Sequence, residues 1–206
     1  MKKRIFSALL ISALAVSALT ACGGSSSAKK NGQTLTVLNY GKYIDESVVK
    51  QFEKETGITV KYEEYESPEE MYTKYKAGSI NYDVICSSEY MVERLINEGE
   101  VLEKDYDAMD NYKNLDPTIL DMSASYDKNH TYSVPYFYGT LGLLYNKTTI
   151  DAKTVSSWNC LWDPTYEDEI IMENSVRDTF APALISKGYS LNDTDENHLR
   201  EALDIL

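Results

Sequence analysis

The 206-residue sequence predicts an α/β fold built around a mainly parallel sheet. Three observations lead there. Short apolar strands alternate with amphipathic helices, a glycine closes each of the first three helices, and the first two strands are separated by one helix within about thirty residues. A helical crossover between neighbouring strands imposes parallel pairing and covers the sheet with helices.

Taken in order, Leu35-Thr36-Val37-Leu38-Asn39-Tyr40 is a β run. Ile44, Val48 and Phe52 then recur every four residues, and Gly57 ends that helix. Ile58 to Tyr62 alternates apolar and polar residues, as a half-buried strand does. Ser67-Pro68-Glu69-Glu70 starts a second helix with an N-cap serine, proline at the first helical position and glutamate three residues after the cap. It runs through Met71 and Tyr75 to Gly78. A third strand, Tyr82 to Cys86, leads through Ser87-Ser88 into a helix carrying Met91, Leu95 and Ile96 and stopping at Gly99. Ligands of such sheets sit at the carboxyl ends of the strands. Tyr40-Gly41-Lys42-Tyr43 and Ser87-Ser88-Glu89-Tyr90 therefore become candidate ligand walls.

From Val101 to Asn129 the pattern loosens into polar loop, with Asn114 to Pro117 as a turn. Tyr132 to Tyr138 and Gly139 to Asn146 read as two extended segments crossing from one lobe to another. Trp158 to Trp162 predicts a short helix, Ile170-Ile171-Met172 a strand, and Arg177 to Lys187 a helix with Pro182 near its first turn. Asp193 with Glu196 is expected to cap a last helix carrying Leu199, Leu203 and Leu206 on one face. The sequence stops within that helix without a terminating signal, so the second lobe is expected to be incomplete.

The N-terminus has its own pattern. Lys2-Lys3-Arg4 precedes the apolar stretch Ile5 to Leu19, and no charge lies between Arg4 and Cys22. The run is too short and too rich in Ala and Ser for a membrane span, which needs about 20 strongly apolar residues, and reads as a signal peptide. Leu19-Thr20-Ala21-Cys22 resembles the bacterial lipobox, which implies diacylation of Cys22 and cleavage before it. Gly23 to Lys30 follows as a flexible polar tether. The expected organisation is a signal peptide at 1–21, a tether at 22–34, a first lobe at 35–136, and a crossing segment with a partial second lobe at 137–206. Two acyl chains give stable anchoring. That places the mature chain on the extracellular face of the cell membrane, or in the periplasmic space where an outer membrane exists. A plain signal peptide with an incidental cysteine is the alternative.

The formal charge is −13, and becomes −16 once Lys2, Lys3 and Arg4 leave with the signal. Such a balance argues against nucleic acid and anionic lipid surfaces as partners. Tyrosine is abundant, at 17 against 4 Phe and 2 Trp. That suits a wet cleft, because the ring supplies area and the hydroxyl a hydrogen bond; lineage-specific composition accounts for it equally well. Cys86 and Cys160 are expected to be free thiols, since two cysteines make no disulfide framework. His130 and His198 are the only histidines, and no Gly-x-Ser-x-Gly, His-Glu-x-x-His or Cys-x-x-Cys occurs. No catalytic residue, cofactor or metal ligand is assigned, and acid pairs such as Glu69-Glu70 read as solvated faces.

Several stretches together resemble the spermidine/putrescine-binding proteins of bacterial polyamine ABC importers. They are Asn39 to Tyr43; Phe52 to Val60; Tyr65-Glu66-Ser67 with Glu70-Met71-Tyr72; Tyr82 to Ser88; Asn114 to Pro117; Tyr132 to Tyr136; Ser156-Ser157-Trp158 with Leu161-Trp162; and Arg177-Asp178 with Gly188-Tyr189-Ser190. The resemblance implies a two-lobed, periplasmic-binding-protein-like fold, with a mainly parallel sheet in each lobe, that closes around a linear polycation. Ammonium groups need acidic acceptors, and the methylene stem between them needs aromatic faces. By matching motif, Tyr40 and Tyr43 take the places of first-lobe aromatics and Ser87 that of a ligand-contacting serine. Glu89 falls where some members have tyrosine and offers a first-lobe carboxylate, while Asp178 matches an acidic contact of the second lobe. Gly41 stands where the family often has Thr or Ser, and Ser175 where another acid stands, which leaves the preferred polyamine open. Tyr136 stays outside the expected site.

Plainer roles exist for each residue. Tyr40 and Tyr43 would then pack the lobe surface, Ser87 or Ser88 would cap a helix, and Asp178 would serve a helix dipole. The expected protein is a monomer that captures polyamine by hinge closure and delivers it to a membrane permease. A solute-binding protein for a sugar or other small solute, and a surface lipoprotein without a transport role, are the alternatives.

Overall fold

The computed structural model describes residues 32–206. Cys22, the signal sequence and most of the tether lie outside the described residues. The chain divides into two compact units: Asp45–Thr59 with the described residues up to Thr34, and Leu35–Ile44 with Val60–Leu206.

The first unit contains α1 (Glu46–Thr56). Asp45 caps it by accepting from the Ser47 N–H at 2.7 Å, so Ile44 falls before the helix rather than within its apolar face. Gly57 ends it at φ 73°, donating its N–H to the Glu53 carbonyl. Only glycine takes that left-handed cap without steric cost. No residue of α1 is buried, and Val48 and Phe52 both remain exposed.

The second unit is built on a three-stranded sheet of β1 (Thr34–Tyr40), β2 (Thr59–Tyr65) and β3 (Val84–Ile85), ordered β2-β1-β3. β1 and β3 are parallel, with Val37 opposite Val84 and Leu38 opposite Ile85. The expected third strand is cut to two residues, although the Asp83 and Cys86 N–H groups still donate to the carbonyls of Thr36 and Leu38. Two helices cover the sheet. In α2 (Pro68–Lys76) the Ser67 hydroxyl accepts from the Glu70 N–H, and the Glu70 carboxylate reaches back to the Glu66 N–H at 2.8 Å. This is a capping box displaced by one residue. α3 (Glu89–Asn97) brings Met91 and Leu95, one turn apart, onto Leu38, Tyr65 and Met71. Each large side chain so buried contributes about 1.5–3 kcal/mol.

The polar stretch after Val101 holds a helix that the sequence reading takes for a turn. Asp116 caps α4 (Pro117–Ser123) through the N–H groups of Thr118 and Ile119, with Pro117 at its start. Seven residues are too few to display an apolar period, so only the cap betrays it. Beyond it, Asp127 is buried and gathers four donors: the N–H groups of Thr131, Tyr132 and Ser133 and the Ser133 hydroxyl, at 2.8–2.9 Å. Burial pushes this carboxyl's pKa up, but the hydrogen bonds outweigh it and hold the pKa below the ordinary value.

Tyr132 to Asn146 forms no strand, and neither does Ile170-Ile171-Met172, where Ile171 is 98% exposed. A strand persists only beside a hydrogen-bonded neighbour, and among the described residues none flanks these segments. The sheet expected in the second lobe is therefore not formed within 32–206. Instead a 3₁₀ turn (Trp158–Trp162) and two helices, α5 (Val176–Ser186) and α6 (Glu196–Leu203), pack around Ala183, Leu184 and Ala202. Pro182, the seventh residue of α5, lies in mid-helix rather than near the first turn; Ser175 caps the helix, which starts one residue earlier than expected. Its missing N–H leaves the Asp178 carbonyl without a helical donor. Asp195, not Asp193, caps α6, accepting from Asn197 and His198; Asp193 instead pairs with the His198 ring at 2.9 Å. The packed face is Leu199, Ala202 and Ile205, while Leu203 and Leu206 are exposed.

Asp127→Asn replaces an acceptor-only group with an amide that turns two donors on its donating partners. The expected loss is about 3 kcal/mol of stability at neutral pH, read by urea unfolding. Since the folded pKa is depressed, this contribution is present above the unfolded value and is lost as pH falls through the folded one. The deficit of the variant should accordingly shrink in strong acid.

Candidate functional site

Parallel strands end at one edge, so the residues that follow β1 and β3 meet there. Tyr40 closes β1, and a turn with Lys42 at φ 63° brings the Tyr43 N–H back to the Tyr40 carbonyl. The two rings stack, with centroids 4.9 Å apart at 30°. Tyr65 tilts against Tyr40 at 4.4 Å, Phe137 meets Tyr43 edge-on at 5.6 Å, and Tyr136 lies 4.1 Å from Phe137. The Tyr136 hydroxyl donates to the Tyr43 carbonyl at 2.7 Å. These contacts make a continuous row of five aromatic rings. Space does not force glycine at position 41, where an added Cβ would come no closer than 3.9 Å to its neighbours.

Neither serine after β3 serves as a side-chain cap. Ser88 occupies the N-cap of α3 but makes no capping bond, and its hydroxyl lies 2.7 Å from that of Tyr40. The Ser87 hydroxyl is buried without a hydrogen-bond partner among the described residues. Below them the Tyr65 hydroxyl donates to the Cys86 carbonyl at 2.5 Å, and burial drives its pKa far up, so it stays a donor. Cys86 and Cys160 are both free.

From α5, Asp178 is held by its own N–H on the Ser175 hydroxyl, and its carboxylate makes no ion pair among the described residues. The pKa of the Tyr40 hydroxyl is raised, by burial first, with the charge of Asp178 adding to the push. Tyr40, Tyr43 and Ser87 thus lie at the shared carboxyl edge of β1 and β3, and Asp178 is near enough for its charge to be felt at Tyr40. Glu89 is not tied to them by any contact. It is exposed on the first turn of α3, and its charge is felt at Tyr126, whose pKa burial raises first. Ser175, where the family pattern has an acid, is used up as the cap of α5. Beside it, Tyr90 donates to Glu69 at 3.0 Å, and the Arg177 guanidinium lies 5.7 Å from the Tyr90 ring. A separate concavity of about 570 Å³, lined by Tyr90, Arg177, Phe180, Leu184 and Leu199 among others, contains none of the five expected ligand residues. Among the described residues no cluster of His, Cys, Asp or Glu is arranged to hold a metal ion.

The family described as bacterial extracellular solute-binding protein matches residues 47–206. The chain belongs to this family. It is 38% identical over 196 residues to the spermidine/putrescine-binding periplasmic protein of Salmonella typhimurium, covering 94% of this chain and 55% of that one. Among solved structures it is similar to a putative spermidine/putrescine ABC transporter protein from Listeria monocytogenes, with TM-score 0.78 and 40% identity over 84% of this chain and 53% of that one. It is also similar to a lipoprotein of Treponema pallidum, with TM-score 0.74 and 26% identity over 82% and 53%. The chain spans about half the length of the curated relatives it matches.

These likenesses give the solute-binding protein its fold, the periplasmic-binding-protein-like α/β architecture expected from the sequence. Three chemistries stand near this strand edge: the π faces of the tyrosine stack, the Ser87 hydroxyl and, acting through its charge on Tyr40, the Asp178 carboxylate. Together they suit a ligand with an apolar body and a positive end. Phe137 belongs to this place and escapes the sequence reading, and Ser88, named there only as part of a ligand wall or as a cap, is tied to Tyr40. Phe137 arrives from a segment about a hundred residues after β1, and Ser88 resembles any N-cap serine.

Tyr65→Phe in this solute-binding protein removes the donor to the part-buried Cys86 carbonyl. A loss of about 1–2 kcal/mol in unfolding free energy is expected, with the Tyr40 ring retained, as measured by denaturant titration and near-ultraviolet circular dichroism.

Proposed function

We propose that this chain captures a linear polyamine, of the spermidine or putrescine kind, outside the cytoplasm and hands it to the permease of an ABC transporter. The observation that carries the reading is the Tyr40–Tyr43 stack with the Asp178 charge bearing on Tyr40 from α5 and the Ser87 hydroxyl left without a partner. A polyamine uses each of these. Its methylenes lie on the rings, one ammonium donates to the Asp178 carboxylate, and the Ser87 oxygen accepts from the same end. Glu89 offers a further carboxylate for a second ammonium. The names carried by the Salmonella and Listeria relatives support the same class of ligand.

The chain acts as a monomeric carrier without catalysis, closing its lobes over the ligand by a hinge motion. Diacylation of Cys22 holds it at the membrane, where the short tether keeps it near its permease at high effective concentration. The likeness to a Treponema lipoprotein supports that arrangement. Among the described residues no helix is long and apolar enough to cross a membrane.

Calorimetric titration of the mature chain with putrescine, spermidine and maltose tests the ligand. Heat from a polyamine is expected, and binding of maltose alone overturns the reading. Asp178→Asn should weaken polyamine binding by about tenfold or more, with added salt weakening the native chain further. For the anchor, Cys22→Ser should move the protein from the membrane fraction to the medium or periplasm and abolish incorporation of labelled fatty acid. Unchanged fractionation would remove the anchor from the proposal.

A further inference from the structure

We propose that Ser88 is a positioning residue of the cleft, its hydroxyl holding the Tyr40 ring in the orientation that receives the ligand; this rests on the polyamine reading above. A serine at an N-cap ordinarily accepts from the N–H two or three residues on. Ser88 has the backbone of such a cap, at φ −64° and ψ 151°, yet its side chain makes no capping bond. It is committed elsewhere, 2.7 Å from a hydroxyl 48 residues away in sequence.

That partner sits at the junction of the aromatic row. The Tyr40 ring contacts Tyr65 on one side and Tyr43 on the other. Ring stacking fixes where Tyr40 lies but constrains rotation and tilt weakly, because offset and tilted arrangements are close in energy. A hydrogen bond at the ring's tip supplies the missing constraint. It also ties the end of β1 to the start of α3, the two walls on which Tyr40, Tyr43 and Ser87 stand. A tryptophan or phenylalanine in place of Tyr40 has no hydroxyl with which to reach Ser88, so this tether is a property of tyrosine at this position. Two hydroxyls spend only one proton on each other. The pair keeps a second proton and free lone pairs, and the lone pairs can accept from an ammonium.

Because Ser88 does not cap, its hydroxyl can be removed without loosening the helix start, which separates positioning from structure. Titrations of the mature chain with spermidine, with thermal unfolding in parallel, are made for the native protein and for Ser88→Ala, Ser88→Thr, Tyr40→Phe and Ser88→Ala/Tyr40→Phe. Ser88→Ala should bind about fivefold more weakly, with an unfolding midpoint lowered by no more than the loss of this one hydrogen bond. Ser88→Thr should restore affinity, and the double variant should bind no more weakly than Tyr40→Phe. Native affinity in Ser88→Ala, or a lowered midpoint with unchanged affinity, overturns the proposal. If the native chain binds no polyamine, the functional reading fails by itself. The tether is then judged by the ¹³Cζ resonance of Tyr40 in tyrosine-labelled protein: a shift on Ser88→Ala supports it, and an unmoved signal overturns it.

Discussion

Because Val37 lies opposite Val84 and Leu38 opposite Ile85, β1 and β3 run parallel and finish at the same edge of the sheet. Tyr40 and the Ser87-Ser88 pair are thereby neighbours although separated by nearly fifty residues, and the Tyr40–Ser88 hydroxyl pair depends on that registry. A slip of one residue would send Tyr40 to the opposite face, away from Tyr65, and break the row of rings at its first contact. The registry is protected by what lies beneath it. Leu38 is fully buried between Tyr65, Met71, Met91 and Leu95, so a slip would also bring the polar Asn39 into that apolar core.

What the sequence discloses is mainly what local chemistry decides. Ser67-Pro68 with Glu70, Gly57 and Gly99 act through backbone groups a few residues away, and the structure has them where their types demand. The same grammar stood at Asp116-Pro117, but α4 is too short for periodicity to second it. Around α5 and α6 the choice among nearby acids and serines was settled by packing: Asp193 went to the His198 ring and left the cap to Asp195. The site was legible only in part for a related reason. Tyr40, Tyr43 and Ser87 follow strand ends, where topology alone nominates them. Phe137 joins them through tertiary contact, and no local pattern distinguishes Ser88 bonded to Tyr40 from Ser88 bonded to its own helix.

Charge gives a second measure of the site. The chain carries a formal −13, and several of its surface acids are answered locally. Glu70 meets Lys74, Glu98 meets Arg94 and Lys76, and Glu100 meets Lys76. Such exposed pairs add little stability, but they show that neutralising cations are placed where the surface gathers acids. Asp178, whose charge is felt at Tyr40, has none among the described residues.

The chain also contains an internal example of the recognition it is proposed to perform. The ammonium of Lys104 stands 4.1 Å from the Tyr106 ring and 5.8 Å from that of Tyr112, and donates to the Tyr106 hydroxyl at 2.6 Å. Burial lowers its pKa, while the charge of Asp127 acts in the opposite direction. A lysine side chain is an alkylammonium, four methylenes ending in a charge, which is the chemistry of half a polyamine. Here tyrosine faces take the stem and charge, a hydroxyl takes one N–H, and a carboxylate at longer range favours the cation. Tyr40 and Tyr43, the Ser87 hydroxyl and Asp178 offer the same three elements with the cation left out. The difference between the two places is covalency: at Lys104 the backbone supplies the ammonium, and at Tyr40 the proposed ligand would bring it from solution.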